Sequence, residues 1–118
     1  MTSKLKKDSY ASGLDASLSV IGGKWKFLIL WHLITGTKRF GELRRLVGDV
    51  SEKVLIEKLK EMADDGIVRR IDYKEVPPKV EYELTEIGET LANACSPLCQ
   101  WGTKHMDFVL KLNETNVG

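Results

Sequence analysis

The 118-residue sequence is poor in the features that mark exported, membrane-bound or disulfide-stabilised proteins. It has only two cysteines and three prolines, and no apolar run approaches the ~20 residues that a membrane-spanning helix needs. The first nine residues are polar and basic and lack the apolar segment of a signal peptide. These scarcities argue against a membrane protein and a small disulfide scaffold, and they predict one soluble domain in a reducing cytoplasm.

Charge is nearly balanced overall, at +1, but it is unevenly distributed along the chain. Residues 24–79 contain 13 Lys and Arg against 9 Asp and Glu, a surplus of four, whereas residues 80–118 contain 2 against 6. The middle of the chain is therefore suited to contact a polyanion, and the last third is not. An ordinary solvated surface explains these counts equally well, so charge alone does not assign a function.

Apolar periodicity predicts a mainly helical domain with one β-hairpin. Helices are expected over residues 14–21, 24–34, 40–47 and 52–65, and a last helical region is expected to begin at Glu86. Residues 67–73 and 80–84 read as strands on either side of Pro77-Pro78, because consecutive prolines cannot donate hydrogen bonds to a sheet. Ser51 and Thr85 are suited to cap helices. Pro97 is expected to kink the last helix or to restart it with Ser96 as cap.

The order helix, short turn, helix and hairpin is that of a winged helix-turn-helix, which points to DNA binding rather than catalysis. The predicted fold class is mainly α with a two-stranded β wing, dimerising through terminal helices. We expect a basic, flexible N-terminal tail over residues 1–10. The winged-helix DNA-binding and dimerisation domain is expected over residues 11–112, with a frayed C-terminus over residues 113–118.

Cations surround the first helix of the predicted motif and are expected to contact phosphates: Lys38, Arg39, Arg44 and Arg45. Arg44 could also pair with Glu42 or Asp49. Lys74 and Lys79 flank the stiff wing tip, and one of Arg69 and Arg70 is expected to reach a phosphate. The alternative interpretation of the wing is a rigid turn with incidental lysines.

The outer face of the second motif helix is the predicted base-reading surface, and it carries Ser51, Glu52, Lys53, Ile56, Glu57 and Lys60. Glu52 or Glu57 could accept a hydrogen bond from a cytosine amine, and Ile56 could contact a thymine methyl. Ser51 and Lys53 lie where free N–H groups at the helix start favour a phosphate. An unremarkable exposed Ile56 and a solvated Glu57–Lys60 pair remain as alternatives.

Apolar residues near both ends of the chain exceed what so small a core can bury. The predicted dimer interface consists of Leu14, Leu18, Cys95, Leu98, Cys99, Trp101, Phe108, Val109 and Leu112. A monomer would expose this surface, so we predict a homodimer. Two recognition helices would then lie ~34 Å apart, which predicts an operator with two-fold symmetry.

Cys95 and Cys99 are four residues apart, which places their β-carbons ~6 Å apart on a helix, against about 4 Å in a disulfide. They are expected to be small apolar residues at the dimer interface; an intersubunit disulfide becomes feasible if Pro97 distorts the turn. A metal site completed by His105 is disfavoured, and His32 is expected to be a core residue. No catalytic triad, phosphate loop or HExxH motif occurs, so we predict no enzyme, cofactor or metal.

Five segments taken together resemble the HxlR-type transcriptional regulators, a branch of the MarR-like winged-helix proteins. They are residues 21–25 (IGGKW), 39–44 (RFGELR), 51–55 (SEKVL), 75–82 (EVPPKVEY) and 84–88 (LTEIG), and the resemblance spans Leu14 to Gly102. It implies a cytoplasmic bacterial or archaeal repressor or activator that binds a pseudo-palindromic operator as a homodimer. Many redox-sensing members carry a cysteine about ten residues before the Gly-Gly pair; Ser12 occupies that place here.

The expected partners are therefore double-stranded DNA, a second copy of the chain, and a small-molecule inducer or an oxidant, with no membrane. Repression is the favoured mode of regulation. Two alternatives stay open on the sequence alone. One is a winged-helix protein-interaction module that does not bind DNA, and the other is a thiol-based redox sensor that uses Cys95 and Cys99.

Overall fold

A computed structural model describes residues 9–117, with side chains up to Glu114, so residues 1–8 of the predicted basic tail lie outside the described residues. Within this range the helices are α1 (Gly13–Ile21), α2 (Lys24–Leu33), α3 (Phe40–Val47), α4 (Glu52–Asp64), α5 (Glu86–Lys104) and α6 (Met106–Val117). The strands are β1 (Lys38–Arg39), β2 (Val68–Asp72) and β3 (Val80–Leu84). The prediction of a mainly α winged helix-turn-helix is confirmed.

Side-chain oxygens cap the helices at the predicted residues. The Ser51 hydroxyl accepts a hydrogen bond from the Val54 N–H at 3.1 Å, and Thr85 Oγ1 accepts one from the Gly88 N–H at 3.1 Å. Ser12 caps α1 in the same way, through the Asp15 N–H at 3.1 Å. Each cap satisfies a backbone donor that has no partner inside its helix. The helix starts are therefore encoded locally.

The wing belongs to a three-stranded antiparallel sheet in the order β1-β3-β2, rather than to an isolated hairpin. Strand β1 pairs Lys38 with Tyr82 and Arg39 with Glu81, on the free edge of β3. The predicted two strands are present, and β1 is an addition. A two-residue strand is too short to show alternation in a sequence, which is why the pattern missed it.

The hydrophobic core lies between α2, the two motif helices and the sheet. Its fully buried members are Ile29, Leu30, Leu43, Leu55 and Leu59. Helix α2 was predicted to be central because apolar residues cover most of its circumference, and its residues do lie at the centre of this cluster. The core holds α4 by one face, so the opposite face of α4 is left for solvent or a ligand.

The sequence predicts a kink or a restart at Pro97, and of these two the restart with Ser96 as cap does not occur, because helix α5 continues through Pro97. The interruption lies instead at His105, whose φ of −110° and ψ of 24° end α5 before α6 begins. Helix α6 continues to Val117, beyond the boundary expected at Leu112. A proline inside a helix removes one backbone hydrogen bond, and here the neighbouring turns are retained despite that loss. Within the described residues, no helix is both long and apolar enough to cross a membrane.

A buried ion pair fastens α4 to α2. Lys26 is 6% exposed, and its Nζ lies 2.8 Å from Oε1 of Glu61. Lys58 approaches the same carboxylate more loosely, at 3.8 Å, from one turn away on α4. This pair is not evident from the sequence, because Lys26 lies within a largely apolar helix and its partner Glu61 is distant in sequence.

We expect Glu61→Gln to lower the free energy of unfolding by about 2 kcal/mol, because the change leaves the buried Lys26 ammonium without its anionic partner. Lys58→Gln should cost less than about 0.5 kcal/mol, as removal of a partly exposed pair within a helix usually does. Urea unfolding followed by circular dichroism measures both. Equal decreases in the free energy of unfolding of the two variants would show that the Lys26–Glu61 pair stabilises the fold no more than the exposed Lys58–Glu61 pair does.

Candidate nucleic-acid interface

The turn between α3 and α4 is bridged by an ion pair. Arg44 Nη1 lies 3.3 Å from Glu52 Oε2, and both side chains are exposed. The expected pairing of Arg44 with Glu42 or Asp49 is therefore wrong. Glu42 instead accepts a hydrogen bond from the backbone N–H of Arg39 at 2.9 Å, which closes the first turn of α3. Arg44 contacts Oε2 of Glu52, so a base amine that binds this carboxylate has to share it with Arg44.

The outer face of α4 is exposed at every position predicted to meet DNA: Ser51, Glu52, Lys53, Ile56, Glu57 and Lys60. Ile56 is half exposed, at 50%, in the middle of this polar face. The first turn of α4 presents backbone N–H groups that favour an anion. The face therefore combines phosphate-binding groups with one apolar side chain that could contact a base.

Several cations near this face carry no ionic partner. Among the side chains that the structure describes, Arg45, Lys53, Lys60 and Lys74 have no carboxylate within the 4.0 Å of an ion pair. Such groups can bind a phosphate without first breaking an internal contact. Arg45, at the end of α3, and Lys53, at the start of α4, lie on either side of the turn that joins these two helices.

The two predicted cations of β1 are arranged differently from each other. Lys38 is half-buried, and its Nζ donates to Thr35 Oγ1 at 3.1 Å and to the Gly36 carbonyl at 3.2 Å. This ammonium is thus held against the turn that follows α2. The Arg39 side chain is exposed. Of the two, Arg39 is the more available to a phosphate.

The wing tip is ordered by a set of contacts around Tyr73. The phenol donates a hydrogen bond to Glu81 Oε1 at 2.8 Å, and this bond is the main reason that the pKa of Tyr73 is raised. Lys79 Nζ lies 4.4 Å from the centre of the Tyr73 ring, in a cation–π contact. The Asp72 carboxylate accepts from the Lys74 N–H at 2.9 Å. Lys79 is thus held on the ring, whereas Lys74 projects into solvent.

The predicted dimer surface is exposed at six of its nine residues, half-buried at two and buried at one. Exposed fractions are 45% or more for Leu14, Leu18, Leu98, Trp101, Phe108 and Leu112. Cys99 and Val109 are half-buried. Cys95 differs, because it is 8% exposed and packs in the core of its own protomer. Nine of the exposed side chains on α1, α5 and α6 within the described range are large and apolar, and polar and charged side chains lie between them.

Burial shifts the pKa of two groups weighed for chemistry: Cys95 is buried, whereas His32 is half-buried and lies outside the core cluster in which it was expected. Burial raises the pKa of the Cys95 thiol, with a further contribution from Cys99, which keeps the thiol protonated and weakly nucleophilic. Burial also lowers the pKa of His32, assisted by the positive charge of Lys38. No cluster of three or more His, Cys, Asp or Glu that could hold a metal occurs in the described part of the chain.

The helix-turn-helix formed by α3 and α4 is matched by a known protein family. The model of the HxlR-like helix-turn-helix family matches residues 20–109. The HTH-type transcriptional regulator YtcD of Bacillus subtilis strain 168 is 47% identical over 105 residues, which cover 89% of this chain and 83% of YtcD.

Two solved structures share the fold. The redox regulator HypR in its reduced form is 43% identical, with a TM-score of 0.78 and coverage of 85% of this chain and 99% of that chain. A protein from Porphyromonas gingivalis W83 assigned to the MarR-family regulators is 33% identical, with a TM-score of 0.76 and coverage of 84% and 97%. The relatives are transcriptional regulators rather than enzymes.

Proposed function

Since the chain belongs to the HxlR-like helix-turn-helix family of transcriptional regulators, we propose that it binds a two-fold symmetric operator as a homodimer and represses transcription there. The observation that carries the proposal is the outer face of α4. That face is exposed along its length, begins at a capped helix N-terminus, and is accompanied by cations that have no internal partner. A recognition helix needs these properties to enter the major groove of DNA.

In this proposal, cationic side chains contact the phosphates of DNA, and other side chains of α4 contact the bases. Arg45 and Lys53 neutralise phosphates on either side of the α3–α4 turn, and Ile56 contacts a thymine methyl in the major groove. Glu57 has no ion-pair partner among the described side chains and accepts from a cytosine amine. Lys74 and Lys79 of the wing contact the backbone near the minor groove.

The homodimer is proposed from the apolar surface of α1, α5 and α6. Large apolar side chains there are half exposed or more, with Leu14 at 69% and Leu98 at 59%. These are many large apolar side chains for one small domain to leave exposed, and a second copy of the same helices is their simplest cover. Pairing these helices would hold two copies of α4 for two successive major grooves.

We expect the affinity of the protein for duplex DNA to fall linearly with salt concentration on logarithmic axes, with a slope of about −0.9 per neutralised phosphate. Arg45→Ala should weaken binding to all duplexes alike and make the slope shallower by about 1.8, because a dimer loses two phosphate contacts. Fluorescence anisotropy with labelled duplexes at several salt concentrations measures both quantities.

Lys104→Ala is the matched control, since it removes one positive charge from the end of α5, outside the proposed DNA face. Selection of bound sites from random duplex DNA then tests for a two-fold operator. A wild-type affinity that does not change with salt would reject DNA binding and favour a winged-helix protein-interaction module. An unchanged slope in Arg45→Ala would reject only the role of Arg45.

Control of binding by an oxidant or an inducer is a second candidate, because HypR is described as a redox regulator in both oxidised and reduced forms. In this chain the protonated Cys95 is a poor sensor, which leaves the half-buried Cys99 as the accessible thiol. The Ser12 hydroxyl, at the place of the cysteine in redox-sensing members, caps α1 instead. Repeating the site selection with an oxidant, and with Cys99→Ser, tests this control.

An inducer would have an apolar site available. A groove of about 380 Å³ between α1 and α5 is lined by Val20, Ile67, Ile87 and Leu91 among others. Its walls include the helix α1 that the proposed dimer uses, so a small apolar molecule bound there could alter how the two protomers pair. Release of DNA by such a molecule would support this mode of control.

A further inference from the structure

A groove of about 350 Å³ separates the exposed side of α4 from the sheet. Ile56, Lys60 and Asp64 line it from α4, and Arg70 and Tyr82 line it from the wing strands. Two of these side chains are cationic, and Ile56 and Lys60 also belong to the outer face of the recognition helix. The groove is therefore continuous with the proposed DNA surface.

The register of the sheet distinguishes Arg70 from its neighbour. Directly opposed residues of an antiparallel pair point to the same side of the sheet, and Arg70 opposes the buried Tyr82. The Arg70 side chain is therefore directed to the face that α4 covers. Its only ionic contact within the described residues is a loose one, with Nη1 3.9 Å from Asp72 Oδ2.

Arg69 points to the other side of the sheet. It opposes Glu83 in the register and forms a close ion pair with that carboxylate. Glu83 also accepts a hydrogen bond from Thr37 Oγ1 at 3.1 Å. The two consecutive arginines thus have the same charge but different surroundings, and only Arg70 reaches the groove beside Lys60.

We infer that this groove binds one phosphodiester of the DNA strand that runs between the recognition helix and the wing, with Lys60 and Arg70 as its two cationic ligands. The inference rests on the proposed function and adds to it a particular phosphate contact. Two cations on the rim more than offset the single negative charge of a phosphodiester, and the Tyr82 ring offers an apolar wall to the adjoining sugar. Lys60 is then a backbone contact rather than a base reader.

Asp64 gives the groove a property that a simple basic patch lacks. Its exposed carboxylate lines the same cavity, so it repels a phosphate that approaches Lys60 and Arg70. The inferred role of Asp64 is to limit the affinity for DNA of any sequence. Asp64→Asn, which keeps the shape of the side chain, should therefore strengthen binding to random duplexes about threefold and steepen the salt dependence.

The test measures the affinity of the full chain for a labelled duplex of random sequence between about 50 and 200 mM salt. Over this range the loss of a phosphate contact changes the salt dependence of the affinity measurably. The variants are Lys60→Gln, Arg70→Gln, the double variant and Asp64→Asn, with Arg69→Gln as the matched control. Each single variant should bind roughly tenfold more weakly. The double variant should make the salt slope shallower by about 1.8 per dimer, since the two cations share one phosphate in each protomer.

The control and a rescue separate charge from folding. Arg69→Gln should bind like the wild type, because its guanidinium is committed to Glu83 on the opposite side of the sheet. Arg70→Lys keeps the charge and should recover most of the affinity that Arg70→Gln loses. Thermal melting of every variant shows whether a loss of DNA affinity comes from a destabilised wing and not from the missing charge.

Several results would overturn the inference without touching the proposed function. In each case the wild type binds DNA in a salt-dependent way. One such result is equal affinity of Arg70→Gln and Arg69→Gln for DNA. Another is a decrease of about 3.6 in the salt slope of the double variant, and a third is weaker DNA binding by Asp64→Asn. Absence of wild-type binding at the lowest salt concentration would instead reject the proposed function. The two failures are therefore distinguishable.

Discussion

Replacing Gly88 by alanine is expected to lower the free energy of unfolding by about 3 kcal/mol and the melting temperature by roughly 10 °C. Gly88 lies in the first turn of α5, where that helix passes close to the start of β2. A β-carbon added there would lie 2.1 Å from the backbone oxygen of Ile67, and 3.3 Å from Thr85 Oγ1. The obstacle is backbone, so it cannot move aside as a flexible side chain would.

The same carbonyl accepts hydrogen bonds from the Thr85 N–H at 3.0 Å and from Thr85 Oγ1 at 3.1 Å. Relief of the clash would therefore also loosen the cap that starts α5. Gly102→Ala, in the same helix, is the control, because nothing lies within 4 Å of a β-carbon there and alanine favours helix by up to about 1 kcal/mol.

Urea unfolding at one fixed protein concentration measures both glycine variants, since the unfolding of a dimer depends on concentration. A Gly88→Ala protein as stable as the Gly102→Ala protein would show that α5 can shift away from β2 without loss.

Replacing Trp101 by alanine is expected to raise the dissociation constant of the dimer roughly 100-fold or more. In a two-fold symmetric interface each substitution acts twice, and buried tryptophans are frequently the residues whose truncation costs most. Trp101 is 50% exposed near the end of α5 and stacks on His105, with ring centroids 4.8 Å apart. The stacked pair presents a rigid apolar surface at the junction of α5 and α6.

Sedimentation velocity across a range of protein concentrations measures this equilibrium. Tyr73→Ala is the control, because Tyr73 is a comparably exposed aromatic residue that lies at the wing rather than on the terminal helices. Its dimer should dissociate like the wild type. If the Trp101→Ala protein kept its dimer while the wild type was dimeric, the interface would have to lie elsewhere.

The features that could be predicted from the sequence are those that neighbouring residues determine. Helix starts at Ser51 and Thr85 depend on a side-chain oxygen three residues from its donor, so composition and spacing suffice. Strands β2 and β3 are long enough for their alternating side-chain pattern to be recognised in the sequence, and Pro77-Pro78 marks the turn between them. The exposed face of α4 follows from the spacing of its buried leucines.

The features that could not be predicted depend on contacts between distant segments. Strand β1 forms only because β3 offers a free edge to Lys38 and Arg39. The Arg44–Glu52 pair depends on the angle between two helices, and no spacing rule favours it over a partner within the same helix. In the same way, the sequence predicts Cys95 as an interface residue, whereas the packing of α5 places it in the core.

The arrangement of the sheet also bears on how the protein resists aggregation. With β3 in the centre, the strands that face outward are the two-residue β1 and the five-residue β2. Unpaired strand edges invite another chain to add a strand, and charged side chains oppose such addition. Both residues of β1 are cationic, and β2 carries Arg69, Arg70 and Asp72. The charged side chains of both outer strands thus oppose the edge-to-edge pairing of copies of the protein at high concentration.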